Sequence, residues 1–558
     1  MLCYSYLFYK QKARKFFFIV LVVLLETVCP YIPNIAYTQV NNEKEITKLQ
    51  KEQGGRFVIG SIGEASNLIP YLATDSASHE IADYLYVSLL KYDKDLLIVP
   101  YAAEWYSVEE EGKLIRFRLR PGILWEDGVE LTSDDVEFTW KIVTDPKTAS
   151  PYAENFLAVK EFKKTGRYSF EVRYEKYFAK ALLSWMNAIL PKHVLNGKNL
   201  RDTSFARKPM GAGPYRLSSW ITGSSVTLTS SPTYFDGEPY IKEVVFRIIP
   251  DTSTMFLEIR ANKLDMMGLS PQQYLRQTCG AYWDNEYHKY KYLSSAYVFM
   301  GFNMLHPFFQ DIKVRRAISY AINREDIVKG VLMGQGIPSF GPYKPGSWAY
   351  HDGLQAIQQD IKKAKELLNE AGFEDTNKDG ILEKEGKDFI FTLLTNQGNE
   401  QRILTAIVIQ SQLKKLGIKV EIRTVEWAAF IKEFVNKAQF DAVILSWTIT
   451  QDPDIYEVWH SSKATIGGLN FTRYKNAQVD KLLSDARSTP NIEKRKALYF
   501  KIQETFHNEQ PYCFLFIPYA LPIVQSRFHG IKPALAGIMY NFDKWWIPKQ
   551  KQRYILVK

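Results

Sequence analysis

The chain is poor in cysteine, with four in 558 residues. That excludes a disulfide-dense scaffold. Cys3 and Cys29 lie near the N-terminus, and the isolation of Cys279 and Cys513 excludes a CxxC zinc or redox motif. Those two either pair in an oxidising compartment or stay as buried thiols. Long apolar runs are scarce too. Phe16 to Leu25 is an uninterrupted run of ten, and no later segment reaches the roughly 18 residues that cross a bilayer. Catalytic signatures are missing: there is no GxSxG elbow, no GxxxxGK[ST] loop and no HExxH helix. The eight histidines are scattered and nowhere spaced i, i+4, so neither a metal centre nor a cofactor is expected. Charge of one sign is weak as well. Of the formal +10, three units come from Lys10, Lys12, Arg14 and Lys15 set against Glu26. The remainder is diffuse, and Lys289-Tyr290-Lys291-Tyr292 is too short a basic patch for nucleic acid. No repeat of roughly 20–50 residues marks a solenoid.

What is present is globular: 46% hydrophobic and 24% charged residues suffice for a large core. The basic block before Phe16–Leu25 makes that run the h-region of an export signal over 1–38. Three fates are open: lipidation of Cys29, cleavage near Ala36 to Thr38, or an uncleaved anchor. The Glu26-Thr27-Val28 that precedes Cys29 departs from a lipobox. A polar linker, 39–54, follows. Regular structure then begins with the strand at Arg56 to Gly60, and Leu114 to Arg120 alternates as a half-buried strand does. Thr132 with Asp134 and Asp135 opens a helix with a capping hydroxyl. From Phe389 to Trp447 the succession is strand, amphipathic helix (Arg402 to Leu416), strand, helix (Trp427 to Asn436), strand. That order predicts an open, mostly parallel sheet covered by helices.

Two motifs are read without ligands. Gly211-Ala212-Gly213 has dinucleotide spacing, but Pro214 and Tyr215 follow, so it is a tight turn. Asp375-Thr376-Asn377-Lys378-Asp379-Gly380 matches the first half of a calcium loop, yet Gly386 stands where the bidentate glutamate belongs. An Asx-rich turn explains the same residues. The 12 Trp, 34 Tyr and 33 Phe suit both packing and a ligand cleft lined by aromatic faces.

Several segments together resemble the family-5 extracellular solute-binding proteins of ABC importers, the oligopeptide-, dipeptide- and nickel-binding group. They are Phe117 to Gly128 with Leu131 to Val136, Gly211 to Tyr215 with Trp220, Ile312 to Arg324, and Asp452-Pro453-Asp454 with Trp459-His460-Ser461 and Asn470. The resemblance runs from about residue 56 to 550. It implies an α/β, two-lobed periplasmic-binding-protein fold, type II-like, with an extra subdomain inserted in the first lobe. Lobe I would take 55–90, 206–290 and 516–558, the insertion 91–205 and lobe II 291–515. It further implies a non-enzymatic, monomeric receptor in the periplasm or cell envelope. Such a receptor captures di- and oligopeptides between its lobes and hands them to a membrane permease. The residues matching the family's ligand contacts are Glu64, Ala65 and Ser66 in lobe I and Ser446, Trp447 and Thr448 in lobe II. Peptide-binding members carry an aspartate three residues after the lobe II tryptophan, for the ligand's α-amine. Thr450 stands there, and Asp452 is the expected substitute. An oligosaccharide or nickel chelate is the alternative within the fold. An exported hydrolase and a surface signalling or adhesion lipoprotein are the alternatives outside it.

Overall fold

A computed structural model describes residues 51–354, 357–448 and 452–553. The signal, most of the linker, Cys29 and Thr450 lie outside these residues. Two seven-stranded sheets organise the chain. In the first, Arg56–Ser61 runs parallel to Glu243–Ile248 and Met266–Gly268. Antiparallel neighbours Ser225–Ser230 and Tyr215–Ile221 extend one side, and Pro522–Gln525 and Tyr287–Lys289 the other. Phe57 anchors this sheet to the C-terminal segment, its ring 4.9 Å from Phe528, 5.0 Å from Phe542 and 5.7 Å from Trp545.

Between the first strands of that sheet and its later ones sits a separate four-stranded antiparallel sheet, ordered Ala103–Glu109, Leu114–Leu119, Ser169–Tyr174, Val159–Lys164. Its inner face stacks Phe117, Phe162 and Phe170 around Trp185. The helix Ser133–Thr144 covers it, and a reciprocal capping box between Thr132 and Asp135 fixes the start of that helix.

The second sheet runs Tyr292–Leu293, Tyr512–Ala520, Ala296–Phe302, Ala442–Thr448, Ile390–Asn396, Lys419–Val425, with Gly336–Pro338 as its seventh strand, paired to Tyr512–Ala520 off this path. Packed on both faces, its central strand Ala442–Thr448 buries Ala442 to Leu445 and therefore reads as a continuous apolar run. The expected mostly parallel sheet is mixed. Parallel pairing holds only where covering helices return the chain, between Ile390–Asn396 and its two neighbours. Ala296–Phe302 and Tyr512–Ala520 enter antiparallel, because they are the segments arriving from and leaving for the first sheet. Tyr512–Ala520 pairs with the second sheet, and only Pro522–Gln525 joins the first.

The two crossings lie side by side. Tyr292 and Leu293 pair with Ala520 and Tyr519, and Tyr290 N–H donates to Pro522 O at 2.9 Å. Such a two-stranded connection bends without breaking the sheets on either side. Cys513 is a buried free thiol, so it does not pair with Cys279, whose Sγ lies 3.3 Å from Leu275 O. In the calcium-like loop, Asp375 and Asp379 accept from the backbone N–H groups of Gly380 and Ile381, which is an Asx-turn use of those oxygens.

Candidate functional site

In the second sheet the strand Ile390–Asn396 lies between Lys419–Val425 and Ala442–Thr448, and the chain leaves it for one neighbour and returns to the other. A crevice opens at the carboxyl ends of strands where the order reverses in this way. Here it faces the helix Ser76–Leu85 of the first lobe, which Asp75 caps by accepting from Ser78 N–H at 2.9 Å. Between them is a cavity of about 650 Å³. Asp75, Glu80 and Asp83 line it from the first lobe, Tyr152 and Lys180 from the insertion, and Arg402, Trp427, Ser446 and Trp447 from the second. A neighbouring cavity of about 470 Å³ on the hinge side shares Ser76, Glu80, Arg402 and Trp427 with it.

Of the residues expected from sequence, Ser446, Trp447, Thr448 and Asp452 line the main cavity. The Trp447 indole N–H donates to Tyr512 Oη at 3.2 Å, and its ring lies 5.7 Å from Phe471. Ladder partners of this strand on the Ile390–Asn396 side end at Val443. Among the described residues its last turn is therefore paired on one edge only. Asp452 is not an isolated carboxylate: Arg495 donates to both its oxygens, at 2.8 and 2.6 Å. Glu64, Ala65 and Ser66 line neither interlobe cavity. Trp220 Nε1 at 2.7 Å and Gly223 N–H at 2.9 Å draw Glu64 back onto the first lobe. Ala65 is buried, and the Ser66 hydroxyl donates to Asp75. From the first lobe, Gly60, Ser61, Ile62 and Gly63 line the hinge-side cavity.

Three charged residues with no sequence signature of their own stand in the cavity. Arg402, in the first turn of the helix Glu400–Lys414, is 9% exposed. It donates to Asn396 Oδ1 at 2.7 Å and to Ser446 Oγ at 2.8 Å, and it has no carboxylate partner among the described residues. Burial lowers its pKa to about 10. Glu80 and Asp83, three residues apart on one helix face, are exposed, yet burial pushes Glu80 up to about 7, aided by Asp83, and Asp83 up to about 6. The surface they expose lines the interlobe cavity. Neither makes a hydrogen bond or ion pair among the described residues. A charge removed from bulk water without a partner is costly, so the site has one unneutralised cation and two unneutralised acids.

The lobes touch around this space. The insertion's Lys180 reaches Asp454 at 3.6 Å, and Glu154 reaches Lys463 at 3.1 Å. Ser253 Oγ donates to Glu400 at 2.9 Å. Gly63 packs beneath Trp427, and a Cβ there would stand 2.5 Å from the indole Cδ1. Gly63→Val therefore overpacks the closed arrangement, at a cost of about 1–3 kcal/mol. We expect ligand affinity to fall about 10-fold, with a larger radius of gyration under saturating ligand. Calorimetry and small-angle scattering read the two effects.

The arrangement matches known proteins over nearly its whole length. The model of the family described as bacterial extracellular solute-binding proteins, family 5 Middle, matches residues 98–467. The oligopeptide-binding protein AppA of Bacillus subtilis (strain 168) is 35% identical over 509 residues, covering 89% of this chain and 92% of its own. The structure of AppA from Bacillus subtilis in complex with a nonapeptide superposes with a TM-score of 0.85 at 34% identity, covering 90% of this chain and all of that one. NikZ from Campylobacter jejuni in complex with Ni(L-His) gives 0.80 at 26% identity, covering 88% of this chain and 99% of its own. DppA from Helicobacter pylori in complex with peptide STSA gives 0.79 at 26%, covering 90% and 99%. With the family match spanning most of the chain and the two-lobed architecture in agreement, the protein belongs to the bacterial extracellular solute-binding proteins of family 5.

Proposed function

We propose that this chain is the receptor of an ABC importer, which captures peptides in the cell envelope and presents them to a membrane permease by closing its lobes. The observation that carries the reading is Arg402, a buried guanidinium facing the interlobe cavity with no carboxylate to neutralise it among the described residues. A ligand carboxylate supplies the missing anion through two parallel N–H bonds, the geometry that guanidinium favours. The half-paired strand end at Ser446 to Thr448 supports an extended ligand that adds its own backbone there. The nonapeptide and STSA bound by the two peptide-binding relatives above, and the L-histidine of the nickel complex, all possess a carboxylate. Asp452 is a poor candidate for the α-amine, since Arg495 already neutralises it. Export and a permease partner follow from the same reading, with the segment 1–38 as signal and any anchor at Cys29.

The test is titration calorimetry on protein stripped of co-purified ligand by unfolding and refolding, with a ladder of di- to nonapeptides. Micromolar or tighter binding of some length is expected, with loss on C-terminal amidation. Binding of a nickel–histidine chelate or an oligosaccharide, with no peptide bound, would overturn the peptide reading.

A further inference from the structure

A side chamber of about 570 Å³ lies beyond the interlobe cavity, between the helix Ser76–Leu85, the inserted subdomain and residues 536–543. It shares His79, Glu80, Asp83 and Tyr152 with the main cavity, so the two meet at this acidic edge. Tyrosines dominate its walls, among them Tyr84, Tyr92, Tyr101, Tyr152 and Tyr234. The face of an aromatic ring attracts a cation, most strongly where water is scarce.

The basic side chains around this edge are engaged with other groups among the described residues. Burial lowers the pKa of His79, and its Nε2 lies 3.2 Å from Ala73 O and 3.1 Å from Tyr152 Oη. Lys180 is engaged with Asn155 and Asp454. Lys91 sits over the Tyr101 ring, 4.4 Å from its centroid. Among the other acids, Asp75 accepts from Ser66 and Ser78, and Asp543 pairs with Lys544 at 3.1 Å. Of the acids lining the two cavities, Glu80 and Asp83 alone have no donor among the described residues.

We propose that this chamber is a subsite for a basic side chain of the bound peptide. A lysine or arginine enters from the interlobe cavity, lays its methylene stem along the tyrosine rings and pairs its ammonium or guanidinium with Glu80 and Asp83. The long stem suits the place, since it reaches a chamber set off from the backbone track while its apolar part stays covered. The α-amine is fixed to the backbone and remains in the main cavity. This rests on the peptide reading above and adds a preference to it: the receptor selects peptides that carry a cationic side chain at one position.

The experiment uses pentapeptides with lysine scanned through each position, the norleucine counterpart of each, and an N-acetylated form of the best lysine peptide. With wild-type protein, one lysine position is expected to bind about 10-fold more tightly than its norleucine twin. The N-acetylated form should keep that margin over its own norleucine twin. In the double variant E80Q/D83N, with folding verified by its thermal melt, lysine and norleucine peptides should bind alike. Equal affinities at every position in wild-type protein would overturn the proposal while leaving peptide binding intact. So would a lysine preference that survives in the double variant. A margin that vanishes on N-acetylation would assign the acids to the α-amine instead. If no peptide of either kind binds, both this proposal and the reading beneath it fall.

Discussion

Replacing Arg402 by methionine is expected to weaken peptide binding about 100-fold while leaving the ligand-free protein at least as stable as before. The two effects have one cause. In the closed cavity the guanidinium is held by neutral oxygens of Asn396 and Ser446, and burial disfavours its charge enough to lower its pKa to about 10. That is an unrelieved cost in the empty protein, and methionine of similar length removes it. With ligand present the balance reverses, because a buried charge-assisted pair is worth about 2–5 kcal/mol when one partner is deleted. The check is calorimetry on both proteins with a free-acid peptide and its C-terminal amide. Wild type should discriminate strongly between them, and the variant should bind both weakly and nearly equally. A purely structural arginine would give the opposite pattern: a lower melting temperature in the ligand-free variant, and unchanged discrimination between acid and amide.

The reason that Arg402 escapes a linear reading is instructive. Within the sequence, Arg402 reads as the start of an amphipathic helix, whereas the structure begins that helix at Glu400, with Asn399 as cap, its Oδ1 accepting from Arg402 N–H. What makes the residue functional is where the helix begins: at the carboxyl end of the strand around which the sheet order reverses. The alternation of strands and helices over 389–447 is legible from periodicity. The reversal is not, because strand neighbours are chosen by long-range pairing. Trp427 has the same history. It is legible as a helix start, and its place in the cleft depends on Gly63, more than 350 positions earlier. Glu80 and Asp83 carry no motif in the sequence, and what sets them apart is their place where two cavities meet. Glu64 to Ser66 are ligand contacts by resemblance, and within the first lobe the Trp220 indole and the Gly223 amide both donate to Glu64, a pairing that linear order does not reveal. Capping at Thr132 and most strands depend on local chemistry, and these are what the linear order carries.

Asp454→Ala should cost about 3–5 kcal/mol of stability, the largest loss expected of any single substitution here. The Asp454 side chain is 1% exposed and accepts from Arg487 Nε at 2.8 Å and Nη2 at 2.7 Å, with Lys180 of the insertion at 3.6 Å. It also accepts from Tyr456 N–H at 3.0 Å. Burial alone would raise its pKa, but Arg487 and Lys180 outweigh that and hold the carboxyl well below the usual range. Its removal leaves Arg487, itself 8% exposed, with Glu457 at 3.1 Å as its remaining counter-ion. The sign of the pH dependence follows. A carboxylate whose folded pKa lies below its unfolded value of about 3.9 adds stability that is complete above that value and is lost as pH falls beneath it. Wild-type protein should therefore lose stability steeply below about pH 4, and Asp454→Ala should lack that share of the slope. The double variant D454A/R487M should recover part of the loss, since it deletes both charges instead of stranding one. Urea unfolding at pH 7 and at about pH 3.5 measures all three proteins. If D454A and D454A/R487M prove equally destabilised at pH 7, the cost lies in lost packing rather than in an uncompensated guanidinium, and the electrostatic account of this pair fails.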